Sequence, residues 1–187
     1  MNGAPKKMMD KQTIVNDEMR RIGAAIEGAI AGLTREQMAW HPAGKWSAAE
    51  ILEHLAATYG STARLMQKLA AKGTTRAGKP TLRQKFFAWA VTGAGYFPSG
   101  RQAPEFTRPA GLGPDEAAQT IRRNLTEMDA AFAIAEERFG KRVVVADHPV
   151  LGSLKLGQWR RFHWVHTRHH MRQIARLRAQ QGLAAGD

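Results

Sequence analysis

Four stretches of the chain repeat apolar residues at three- and four-residue steps, and this pattern constrains the fold more than any other feature of the sequence. Such spacing is typical of amphipathic helices with one buried stripe. The predicted helices span residues 11 to about 32, 47–73, 114–140 and 156 to about 181. Because each stripe must be buried against another element, four such helices without strands indicate an all-α four-helix bundle.

Local signals mark the ends of the second and third predicted helices. Ser47 followed by Glu50 forms a capping box, in which each side chain pairs with the backbone N–H of the other residue. Gly73 ends that helix, Pro114 suits the first turn of the next helix, and Gly140 stops it.

An insert at about residues 73–113 separates the second and third helices and is longer than an ordinary helix connection. It contains its own predicted helix, capped by Thr81, with Phe86, Phe87 and Trp89 as apolar mass. Long connections frequently serve as lids or binding loops, so we expect these aromatic residues and their basic neighbours to form part of a substrate pocket. Packing against the helices or a dimer contact is the alternative.

The short apolar run at residues 142–146, "RVVVA", is interpreted as an extended loop, because an isolated strand has no partner. The whole chain, residues 1–187, is expected to form one domain that contains the insert.

Composition excludes several classes of protein. With 43% hydrophobic and 24% charged residues, the chain is typical of a globular protein. It has no cysteine, which excludes disulfides, thiolate metal ligands and thiol nucleophiles from the chain itself. No run approaches the ~20 apolar residues of a membrane span, so we expect no membrane span and a cytoplasmic location.

The formal charge is +12, and two segments carry most of the excess. Residues 72–112 hold seven basic side chains against one acid, and residues 155–178 hold seven against none. Such segments can attract nucleic acid or small anions, or they can simply be solvated faces that affect solubility.

The segment "FHWVHTRHHMRQI", residues 162–174, places four histidines within eight residues of the fourth predicted helix. The stripe that must face the interior consists of Trp159, His163, His166, His170, Ile174 and Leu177. His166 and His170 lie one turn apart, the spacing of helical two-histidine metal sites. His169 points elsewhere.

A catalytic metal needs about three protein ligands, and His54 on the buried side of the second helix is the natural third. The alternative is a set of core histidines, each with a hydrogen bond to a neighbour, or a basic helix exposed to solvent. His163 is left open as a ligand, an outer hydrogen-bond partner or a packing residue.

Four further residues are candidates for a role at the metal site. His41 and His148 are weaker ligands, and Glu50 and Asp147 are possible outer acceptors.

Three segments resemble the DinB/YfiT-like superfamily of metalloenzymes, namely "GKWSAAEILEHL", "APEFTRP" and "LGQWRRFHWVHTRHHMRQIARL". The resemblance implies a bundle of up-down-down-up order, a frequent homodimer and a metal held by His54, His166 and His170. His169 matches the neighbour in the family's double-histidine pair, and Gln173 matches a recurrent glutamine.

Characterised members of the family include thiol-dependent S-transferases and a thiol-dependent maleylpyruvate isomerase, in which the metal binds and activates a low-molecular-weight thiol. The resemblance therefore implies a divalent-metal-dependent enzyme, such as a thiol-dependent S-transferase or a hydrolase, that acts on a small molecule. Imidazole ligands do not distinguish zinc, nickel, iron, copper or manganese. Two alternatives are a structural metal-binding module and a protein that binds nucleic acid or another polyanion through its basic surface.

Overall fold

The computed structural model describes residue 14, residues 16–97 and residues 102–183. Its α-helices are α1 (Asp17–Ile30), α2 (Arg35–Ala39), α3 (Ala48–Lys72), α4 (Leu82–Ala88), α5 (Pro114–Phe139) and α6 (Leu156–Gln180). Two strands, β1 (Val144–His148) and β2 (Gly152–Lys155), lie between α5 and α6. The prediction of a mostly helical fold is confirmed, and the small sheet is an addition to it.

The four long helices, α1, α3, α5 and α6, supply most of the hydrophobic core. Helix α3 packs along α5, and α1 packs along α6. Fully buried side chains from all four helices meet, and they include Ile22, Tyr59, Met66, Ile121, Phe132 and Ile174. These residues occupy the predicted apolar stripes, because the three- and four-residue spacing places them on one side of each helix.

The predicted helix ends agree closely with the structure for α3 and α5. Ser47 Oγ accepts the Glu50 N–H at 3.1 Å, and the Glu50 carboxylate accepts the Ser47 N–H at 2.7 Å. Gly73 then adopts a left-handed conformation with φ of 65°, which closes the end of α3. Pro114 begins α5, and Gly140 follows its last residue.

The first predicted helix begins later in the structure, and a short helix precedes α3. Asn16 Oδ1 accepts the Glu18 N–H at 2.9 Å, so the capped helix starts at Asp17. The predicted residues 11–13 and 15 lie outside the described residues. Helix α2 was not predicted, although Thr34 and Gln37 form a capping box at its start.

The interpretation of residues 142–146 as an unpaired loop is wrong. Strand β1 pairs antiparallel with β2, with His148 opposite Gly152. The partner strand, "GSLK", is short and of mixed polarity, so apolar periodicity does not reveal it. Arg76 adds a further bridge, because its N–H donates to the Val145 carbonyl at 2.8 Å.

The predicted insert helix is present, and Thr81 caps it. A π-helical turn (Trp89–Gly93) continues it, and a 3-10 helix (Glu105–Thr107) precedes α5. Among the described residues, no helix has both the length and the apolar content needed to cross a membrane. The assignment of the whole chain to one domain stays a prediction.

Glu53, a buried carboxylate on α3, holds the end of the insert against that helix. Its carboxylate accepts the N–H groups of Ala110, Gly111 and Leu112 at 2.7, 3.1 and 3.0 Å. Three backbone donors to one buried carboxylate form a strong anchor, because charge-assisted hydrogen bonds exceed neutral ones in strength. The anchor sets the path of the chain from the insert into α5.

We expect Glu53→Ala to lower the free energy of unfolding by about 2 to 4 kcal/mol, because it leaves three backbone N–H groups without their acceptor. Urea denaturation followed by circular dichroism measures the change. The control Glu127→Ala removes an exposed carboxylate from α5 and should change the stability by less than about 0.5 kcal/mol. Equal stability of the two variants would contradict the anchoring role.

Candidate metal centre

Helices α3 and α6 bring three buried histidines to one point. His54 projects from α3, while His166 and His170 project from successive turns of α6. The Nε2 atom of His166 lies 3.3 Å from Nε2 of His54 and 3.0 Å from Nε2 of His170. One nitrogen of each ring lies within 4.8 Å of the others, an arrangement that could hold a metal ion. These are the three residues predicted to meet.

Hydrogen bonds at Nδ1 determine which nitrogen of two of these rings faces the centre. His54 Nδ1–H donates to the Thr107 carbonyl at 2.8 Å, and His170 Nδ1–H donates to Gln173 Oε1 at 2.8 Å. A neutral imidazole that donates from Nδ1 keeps its lone pair on Nε2. Outer hydrogen bonds of this kind orient histidine ligands in metal sites. His166 Nδ1 is buried and has no partner among the described residues.

Burial keeps all three rings neutral. It holds the pKa of His166 well below its usual range, and repulsion from His170 and His54 lowers that pKa further. Burial also lowers the pKa of His170 to about 3. The pKa of His54 is lowered by burial and partly restored by the Thr107 carbonyl. Near neutral pH the three rings are therefore uncharged, and the Nε2 lone pairs of His54 and His170 face the centre, where a cation could bind.

Aromatic rings surround the triad, which here means His54, His166 and His170. Trp46 lies 5.1 Å from the His54 ring, and Phe97 lies 4.9 Å from the His166 ring. Phe162 stacks on His166 at 5.4 Å with an interplanar angle of 15°. These rings limit the access of water to the three nitrogens.

None of the other candidate residues joins the triad. His41 is exposed and donates to the Pro42 carbonyl, while His148 lies in the β-hairpin. Glu50, a proposed outer acceptor, instead accepts the Ser47 N–H at the start of α3. Asp147, the other proposed acceptor, accepts the Gly78 N–H. These four residues therefore lie outside the cluster of candidate ligands, which among the described residues contains only His54, His166 and His170.

The two remaining histidines of α6 differ in environment. His163 is completely buried among Tyr59, Phe132, Trp159 and Phe162, and neither of its nitrogens has a partner among the described residues. It is a packing residue of the core. His169 is half-buried, and its Nε2 accepts Gln173 Nε2–H at 3.2 Å, so it touches the residue that orients His170.

The triad opens into a cavity of about 1260 Å³. The insert supplies part of its wall through Phe87, Val91 and Phe97, so the expectation that the insert borders the site is confirmed for that part. It is wrong for Phe86 and Trp89, which are 61% and 63% exposed and are not among the lining residues. Those two rings contact each other outside the cavity.

Three residues of the site escaped the sequence analysis. Thr107 acts through its carbonyl, which any residue type offers, and so carries no signal in the sequence. Phe97 follows the insert helix without helical periodicity. For Glu53 the sequence does hold a signal, because this residue directly precedes the inward-facing His54 on a predicted helix. A carboxylate that is buried at such a position requires a hydrogen-bond or charged partner.

Residues 18–174 match the family model of the DinB superfamily. The matched range covers most of the chain and includes all three residues of the triad. No curated protein and no solved structure matches the chain.

His163→Leu tests the core role of that histidine. Burial lowers the pKa of His163 to about 3, whereas the unfolded chain binds a proton at this residue near pH 6.5. Below pH 6.5 the unfolded state therefore binds more protons than the folded state, and stability falls as the pH falls. In metal-free protein, the stability lost between pH 7 and pH 5 should be about 2 kcal/mol smaller in the variant.

Urea denaturation at both pH values measures this difference, with His41→Leu, a change of an exposed histidine, as the control. Equal pH dependence in the wild type and His163→Leu would show that folding does not lower the pKa of His163. Loss of bound metal in His163→Leu would show that it is a ligand.

Proposed function

The chain belongs to the DinB superfamily, and we propose that it is a divalent-metal-dependent enzyme that acts on a small molecule. The metal would be held by the Nε2 atoms of His54, His166 and His170. The observation that carries the proposal is the convergence of three neutral, buried imidazole nitrogens beside a large cavity. The resemblance to the superfamily implies the same three positions.

The donor set favours a catalytic metal over a structural one. Within the described residues, the cluster of candidate ligands contains three histidines and no fourth histidine or carboxylate. Structural zinc sites are usually closed by four protein ligands, whereas catalytic sites keep a position for water or substrate. When bound, a divalent ion in such a shell lowers the pKa of a coordinated water or thiol, so that the nucleophile is available near neutral pH.

The protein's own residues would orient the ligands and exclude water. Thr107 and Gln173 hold the lone pairs of His54 and His170 toward the centre. Phe97 and Phe162 cover the His166 ring, which lowers the local dielectric and strengthens electrostatic interactions at the site. Because the chain has no cysteine, a thiol substrate would be a free low-molecular-weight thiol, and thiol transfer to a small electrophile is the leading reaction class.

Further parts of the proposal concern the whole protein. We infer that α1, α3, α5 and α6 form an up-down-down-up bundle, that the protein is a homodimer and that it functions in the cytoplasm. Binding of nucleic acid or another polyanion by the basic surface is the alternative prediction. DNA affinity that falls steeply with salt concentration would favour it.

The metal assignment predicts about one divalent transition metal per chain in the purified protein. The double variant His166→Ala, His170→Ala should lose it, because two of the three donors are removed. His169→Ala is the matched control: it removes the neighbouring histidine but leaves the bond between Gln173 and His170 in place. Elemental analysis measures all three proteins, and equal metal content in the double variant and the wild type would refute the assignment.

Chelation should lower the melting temperature but leave the helical circular dichroism unchanged. Binding of a metal to the folded state shifts the folding equilibrium by mass action, while the apolar core between the long helices does not depend on the metal. Thermal scans with and without a chelator measure the shift. Complete unfolding of the chelated protein would instead identify a structural metal.

A further inference from the structure

One end of the cavity is lined by the β-hairpin and the first half of α6. We call this end the hairpin lobe and define it by His148, Leu151, Trp159 and Phe162. The His148 ring lies 4.4 Å from Phe162 and 5.3 Å from Trp159. Phe162 in turn stacks on His166 of the triad, so the lobe is one aromatic ring away from the candidate metal centre.

The hairpin fixes the tautomer of His148. Its Nδ1 atom accepts the N–H groups of Val150 and Leu151 at 3.1 and 3.2 Å, so Nδ1 carries no proton and the proton of the neutral ring lies on Nε2. Nε2 makes no hydrogen bond within the described part of the chain, and it is not completely buried. Burial lowers the pKa of this ring to about 4, which keeps it neutral near pH 7. His148 therefore lines the cavity as a neutral ring whose only N–H group is at Nε2.

The charges around the cavity favour an anion. Four cationic side chains line it: Lys45, Arg76, Arg108 and Arg176. Among the described residues that line it, Asp147 is the only acid, and its carboxylate already accepts bonds from the Gly78 N–H and the Ser153 hydroxyl. Arg76 is attached to β1 by two backbone hydrogen bonds, which places a cation on the same hairpin as His148.

We propose that the hairpin lobe binds an aromatic carboxylic acid, with His148 Nε2–H donating to a carboxylate oxygen and the rings of Trp159 and Phe162 packing against the ligand. The proposal rests on the proposed function in one respect, since it takes this acid to be the substrate of the enzyme. The His148 N–H favours a ligand with an acceptor oxygen, and the cationic side chains of the cavity favour a negatively charged one. The Trp159 and Phe162 rings favour a flat apolar group. The substrate class is therefore an aromatic acid whose far end points toward the triad.

Phenylacetate is the probe, and its affinity for the zinc-loaded, full-length protein is measured by calorimetry. We expect His148→Phe to weaken binding by about tenfold or more, because it keeps a ring in the lobe but removes the Nε2–H donor to a charged oxygen. The change also removes the Nδ1 acceptor of the Val150 and Leu151 N–H groups, so the circular dichroism and melting temperature of the variant must match those of the wild type. His41→Phe is the matched control, since His41 also precedes a proline but is exposed and does not line the cavity. It should bind phenylacetate as the wild type does.

A second measurement needs no variant. Nitrogen-15 NMR of the histidine rings should show the Nε2–H tautomer for His148, and phenylacetate should shift that nitrogen and its proton. An Nδ1–H tautomer, an absence of phenylacetate binding by the wild type, or equal affinity of His148→Phe and the wild type would each overturn the proposal.

The outcomes also separate this proposal from the metal site. Phenylacetate binding that survives in His148→Phe but is lost in the variant His166→Ala, His170→Ala would show that the carboxylate coordinates the metal. That result would overturn the role of His148 and leave the proposed function intact. Failure of the proposed function appears separately, as an absence of bound metal in the wild type.

Discussion

The hydrogen bond from His54 Nδ1–H to the Thr107 carbonyl is the contact on which the site depends. It joins residues 53 positions apart in the chain and turns the Nε2 lone pair of His54 toward α6. Thr107 is held in turn because Glu53 anchors the following backbone to α3. One turn of α3 thus supplies both a candidate ligand and the carboxylate that positions the ligand's hydrogen-bond partner.

The cost of burying several imidazoles explains the rest of the site. A buried charged ring would lose its hydration, so each ring is kept neutral and most of the nitrogens have a defined use. In the triad, two rings donate outward and direct their lone pairs inward. His163 has no such arrangement and is enclosed by aromatic rings, so it contributes packing and a sensitivity to acid.

The long connection between α3 and α5 has a different role from the long helices. The helices bury the core and set the separation of His54 from His166 and His170, whereas the connection closes the side of the cavity with Phe87 and Phe97. The β-hairpin closes another side and orients His148. The protein thereby combines a rigid ligand set on helices with cavity walls on loops, a division common in binding sites because loops tolerate changes in sequence.

The sequence by itself determined the elements whose signals are local. The capping box at Ser47, the stop at Gly73 and the proline at the start of α5 define helix ends, because they act within one turn of backbone. Helical spacing was also sufficient to place His166 and His170 on one face. Only the tertiary structure decided the pairing of β1 with β2, the contact of Thr107 with His54 and the choice of Phe97 over Trp89 as a wall of the cavity. These contacts join residues distant in the chain, and their geometry depends on the packing of whole elements, which no local pattern of residues records.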